Sequence, residues 1–170
     1  MASNASAGVA AVSDSPIAQL IAFVEHIGIA VTSGPVPDDS FLPGLTVRYG
    51  CIVYDPERLA YPGDLLHEAG HIAVSDPATR ATLCSVSSDP GEEMAAIAWS
   101  YAAVRALEID PAIVFHPYGY RGGARAIIDN FNAGHYFGVP MLEWFGMVPT
   151  ADEARASGED RYPQMRRWLR

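Results

Sequence analysis

Apolar residues recur at helical spacing near the start of the chain, where Ile17, Leu20, Ile21, Val24 and Ile27 share one face. Ser15 stands where an N-cap belongs and Pro16 takes the first helical position, so the pattern predicts a helix opening there. A short apolar piece, GIAVTSG, predicts a strand, and the Pro/Gly/Asp-rich GPVPDDSFLPG a loop. The period then drops to two: Val47, Tyr49, Cys51 and Val53 alternate with Thr46, Arg48 and Ile52, with a turn or bulge expected at Gly50. PGDLLHEAGHIAV returns to helical character. After a connection holding two Asp-Pro turns comes EEMAAIAWSYAAVRALEI, apolar on nearly every side until Arg105 and ended by Asp110-Pro111, which predicts a buried central helix. The remainder offers a short apolar segment (AIVFH), a Gly-rich turn (YGYRGG), a helix (ARAIIDNFNAG) and VPMLEWFGM, with Trp144 and Phe145 expected in the core. The arginine-rich end, MRRWLR, reads as a surface amphipathic piece. Helix, strands, then mostly helices make the expected class α+β, a small antiparallel sheet packed on a mostly helical domain.

With 170 residues the chain is one domain by size, residues 16–170, preceded by a small and polar stretch, residues 1–15, expected to be a flexible tail. That stretch lacks the basic start and apolar block of a secretory signal, and no apolar run is long enough to cross a bilayer. A formal charge of −9 repels phosphate backbones, so neither nucleic acid nor membrane is expected as a partner. Cys51 and Cys84 form no CxxC pattern and are expected as small core residues; a reducing, cytoplasmic setting fits them. All 11 basic residues are arginine, which excludes P-loop, kinase-lysine and Schiff-base chemistry.

The candidate chemistry lies in HEAGH. Four residues apart on a helix, His67 and His71 face the same way and can offer two imidazole nitrogens to one ion. Glu68 can reach a water at that ion without ligating it and take its proton. Gly70 costs roughly 1 kcal/mol against alanine inside a helix, which is tolerable where another element must approach closely. An HExxH arises by accident in on the order of one chain per few hundred, so a third ligand decides the matter. The metzincin positions hold Val74 and Pro77, which excludes that class, and Asp76 follows too closely. The carboxylates heading the central helix, Glu92 and Glu93, remain, and a charge there is easily explained if a cation neutralises it. With Asp89 as N-cap and Pro90 after it, Glu92 falls at the capping-box position, leaving Glu93 for the metal. Against that, Glu92 points more nearly opposite the solvent face marked by Arg105 and Glu108. Glu93 is the choice and Glu92 the alternative.

HEAGH followed by a helix-initial glutamate resembles the gluzincin zinc metallopeptidases, and VYDPERLAYPGDLLHEAGH looks most like their small ImmA/IrrE-type members. The resemblance spans roughly Ile17 to Val104. It implies that His67, His71 and Glu93 bind Zn2+, that Glu68 is the general base, and that the substrate is a peptide or protein. The family's small residue three after the glutamate and aromatic six after it correspond to Ala96 and Trp99 from Glu93. The usual Leu-Leu-Met-Pro ending and an attached helix-turn-helix are missing.

After Asp110 the chain gathers His116, Tyr118, Tyr120, Arg121, His135 and Tyr136. Of these His116 is chosen as a second catalytic group, donating to a developing oxyanion. The competing function is a metal-binding regulatory or interaction protein with little catalysis, in which Cys84 or His116 would close the coordination shell.

Overall fold

The computed structural model describes residues 15–170, so the expected tail lies, Ser15 excepted, outside the described residues. Helix α1 runs Pro16–His26 with Ser15 at the N-cap position in extended conformation, though its side chain makes no capping bond. Its apolar face seats Leu20 and Val24 in full burial.

Strands β1 (Val31–Ser33), β2 (Leu45–Arg48) and β3 (Cys51–Tyr54) form one sheet in the order β1-β3-β2. The class is α+β, but the sheet is mixed: β2 pairs antiparallel with β3, whereas β1 runs parallel to it. The long loop after β1 together with β2 returns the chain to its starting end, which permits the parallel pairing. Tyr49 and Gly50 both take left-handed conformations, φ 52° and 70°, which suits a two-residue hairpin turn. That turn reverses the parity of the alternation. Val47 therefore pairs with Ile52, and these two are buried with Leu45, while Cys51 and Val53 are only half-buried on the other face.

Helix α2 (Pro62–Val74) carries HEAGH, followed by the short α3 (Pro77–Arg80) and the long α4 (Pro90–Ala106). The two Asp-Pro pairs open these later helices: the Asp76 carboxylate accepts from the Ala78 N–H, and Asp89 from those of Gly91 and Glu92. Residues 95–104 of α4 are all buried, Ser100 included, as a helix apolar on nearly every side predicts. The helix stops at Ala106, before Asp110, which instead caps the 3₁₀ turn Pro111–Ile113. The glycine in HEAGH sets the distance between α2 and α4. A Cβ on Gly70 would lie 3.0 Å from the Ala96 carbonyl oxygen and 3.2 Å from Ser100 Oγ, so even an alanine there would make α4 give by a few tenths of an ångström.

Helices α5 (Ala124–Asn132), α6 (Val139–Trp144) and α7 (Ala151–Ser157) complete the chain, α7 opening on a Thr150/Glu153 capping box. Three expectations are corrected here. Trp144, at the end of a helix only six residues long, is 81% exposed, though Phe145 is buried. Cys84 is exposed rather than a core residue, because the connection between α3 and α4 runs over the surface. The arginine-rich end is irregular and docked. Trp168 meets Phe23 and Trp99 edge-on at 4.9 and 5.4 Å, and Trp99 Nε1–H donates to its carbonyl at 2.9 Å. The Arg170 N–H donates to the Ala73 carbonyl, and the Arg80 guanidinium donates to the carbonyls of Ile72, Ala73 and Ser75. The C-terminal end of α2 is thereby capped from outside the helix. Among the described residues no helix is long and apolar enough to cross a membrane.

Candidate metal centre

The 3.6-residue period of α2 places Asp64, His67, Glu68 and His71 along one side, since they stand at i, i+3, i+4 and i+7. The rings of His67 and His71 meet edge-on with centroids 4.8 Å apart. The close approach of α4 at Gly70 then brings Glu93, one turn before Ala96, over both rings. Its Oε2 lies 3.0 Å from His71 Nε2 and its Oε1 3.6 Å from His67 Nε2. Hydrogen bonding to the two imidazoles holds the Glu93 carboxyl well below the usual carboxylate range, against the opposing effect of its partial burial. Burial disfavours charge on His71, but the Glu93 bond and the Glu68 and Glu92 carboxylates outweigh it, so its pKa is raised.

Glu92 reaches the same ring from its other edge, with Oε1 3.9 Å from His71 Nδ1. The capping box expected to occupy Glu92 does not form. The Asp89 N–H donates instead to Ser87 Oγ, because Ser87 lies closer along the chain. Glu68 is buried, and burial raises its pKa even though His67 and His71 pull the other way. Its side chain lines a cleft of about 450 Å³ between strand β2 (Leu45, Thr46, Val47) and the Cys84–Ser88 loop.

His116 is buried beside α2, but outside the group of three. Its Nε2 lies 2.9 Å from the Asp64 carboxylate, and Tyr61 stacks on its face at 4.0 Å. Tyr120 packs its ring edge-on against His67 with centroids 5.4 Å apart. Burial and the charges of Glu93, Asp64 and Glu68 hold its phenol well above the ordinary range. Tyr118, Arg121 and His135 are exposed, and Tyr136 packs instead on Phe131 and Tyr162. Asp64 is the residue that motif spacing alone passes over. Its signal was periodicity, since it precedes His67 by one helical turn.

The three donors fit one divalent cation. His67, His71 and Glu93 offer ligand atoms that all lie within 4.8 Å of one another. Tetrahedral bonds of about 2.0–2.2 Å would set them roughly 3.4 Å apart. The two measured separations to Glu93 fall on either side of that value. Two imidazoles and a carboxylate are a donor set suited to zinc and neighbouring transition ions. Nδ1 of each ring is buried without a hydrogen-bond partner, so it is Nε2 that faces the shared point.

No protein-family model, curated protein or solved structure matches the chain.

Proposed function

We propose that this protein is a zinc-dependent peptidase of gluzincin type that hydrolyses an amide bond in a peptide or protein. The observation that carries this reading is the position of Glu68, a buried carboxylate next to a three-donor cluster and open to a cleft along an edge strand. Three protein donors with a free fourth position are the arrangement of catalytic zinc sites, whereas structural sites are closed by four. Cys84 and His116, the candidates for closing it, are not in the cluster.

His67, His71 and Glu93 would hold a zinc ion, which would supply Lewis acidity to a carbonyl and to a water. Edge strand β2, beyond Leu45 whose N–H is taken by Leu42, can pair with an extended substrate lying along the cleft. Glu68 accepts the proton of the attacking water as its oxygen bonds to the carbonyl carbon. The same carboxyl then passes that proton to the amine nitrogen as the C–N bond breaks, returning Glu68 to its starting form. Its raised pKa suits both halves of the task. His116 enters through Asp64, which it holds one turn before His67; a direct approach to substrate requires Nε2 to leave that carboxylate.

Elemental analysis of the purified chain should give close to one zinc, and Glu68→Gln should keep the zinc yet lose cleavage of a mixed peptide library followed by mass spectrometry. A chain that takes up no zinc, or a Glu68→Gln variant that cleaves as the parent does, overturns the reading.

A further inference from the structure

Two adjacent carboxylates face opposite edges of one imidazole: Glu93 lies at His71 Nε2 and Glu92 at His71 Nδ1. One ring cannot direct both nitrogens at the same ion, so the two glutamates cannot share a role. Building on the metal site proposed above, we infer that Glu92 is a positioning residue: it accepts the Nδ1 proton of His71 and so fixes Nε2 as the lone pair that meets the metal.

Three observations converge on this assignment. His71 Nδ1 is fully buried and has no hydrogen-bond partner among the described residues, and a buried imidazole N–H left so is costly. The Glu92 carboxylate makes no hydrogen bond and no other ion pair among the described residues, since Ser87 serves the Asp89 N–H that a capping box would have given it. Finally, the gap is 3.9 Å, and a rotation of the Glu92 side chain that closes it by roughly 1 Å reaches normal hydrogen-bond length. Histidines that bind metal almost always donate their other N–H to a carboxylate, carbonyl or water, which sets the tautomer and raises ligand basicity. His67 Nδ1 is equally buried, but among the described residues no carboxylate pairs with it, so the effect is confined to His71.

The test compares Glu92→Ala, Glu92→Gln and Glu93→Ala in the full chain, measuring zinc affinity by chelator competition and the visible spectrum of the cobalt-substituted protein. Glu92→Ala should weaken zinc about 10–100-fold. Its cobalt spectrum should keep the parent's coordination bands, and the slowly exchanging Nδ1 proton of His71 in the zinc-loaded protein should be lost from the nitrogen-edited NMR spectrum. Glu92→Gln, which keeps an acceptor oxygen and the side-chain shape, should recover much of the affinity. Glu93→Ala should lose far more and change the cobalt bands. Affinity unchanged in Glu92→Ala, or cobalt bands altered as in Glu93→Ala, overturns the positioning role while leaving the metal site standing. A parent protein that binds no zinc instead removes the metal reading beneath it.

Discussion

The Oε2 atom of Glu93 sits 3.0 Å from Nε2 of His71, joining the first turn of α4 to the last turn of α2. Without metal this contact is an ion pair once His71 is protonated; at the proposed metal site the same atoms would be neighbouring ligands. The two states respond to pH in opposite directions.

In the metal-free protein His71 has a raised pKa, so its contribution to stability is complete below the ordinary imidazole value and is lost as pH climbs through the folded value. Glu93 has a depressed pKa, so its contribution is present above the ordinary carboxylate value and is lost as pH falls through the folded one. Thermal unfolding of the metal-free chain should therefore show higher stability near about pH 6 than about pH 8. Zinc affinity should rise over that same interval, because binding displaces the proton of His71. Melting curves and chelator titrations at matched pH check both slopes.

Glu68→Gln should stabilise the metal-free protein while abolishing activity. Burial raises the Glu68 pKa, so ionised Glu68 costs stability at neutral pH, and a neutral isostere removes that cost. The expected gain is about 1 kcal/mol, read from urea unfolding at neutral pH, and should fade as pH falls through the raised folded value of Glu68, vanishing by the ordinary carboxylate value.

Gly70→Val should destabilise the fold by roughly 1–3 kcal/mol through overpacking. Its added carbons meet the Ala96 carbonyl, Ser100 Oγ and the Trp99 ring, each within 3.2 Å of the Cβ position. Because α4 must retreat to admit them, Glu93 moves off the two rings. Zinc affinity measured on the folded fraction should fall with stability.

Trp168→Ala should cost about 2–4 kcal/mol in urea unfolding, although only Leu169 and Arg170 follow Trp168 in the sequence. It removes the edge-on contacts with Phe23 and Trp99 and frees the Arg80 and Arg170 caps on α2. Hydrogen exchange should quicken in the last turn of α2 before it does in α5.

Local periodicity made much of this protein legible. The spacing of Asp64, His67, Glu68 and His71 on one helix face follows from the 3.6-residue turn, whatever surrounds it. The apolar run of α4, interrupted only at Ser100, announced a central helix, and Gly70 was read as tolerable where another element packs closely. Asp89 with Pro90 marked where α4 begins, whereas Asp76-Pro77, expected as a turn, opens α3. Tertiary structure decided the rest. Glu92 and Glu93 differ by about 100° around α4, and no local rule says which points at α2. The Gly70–Ala96 contact settles that direction, placing Glu93 over both rings and Glu92 beside one. The parallel pairing of β1 and the docking of Trp168 likewise join segments distant in sequence. Backbone geometry fixes how side chains repeat along one element, but only packing between elements fixes where each face ends up.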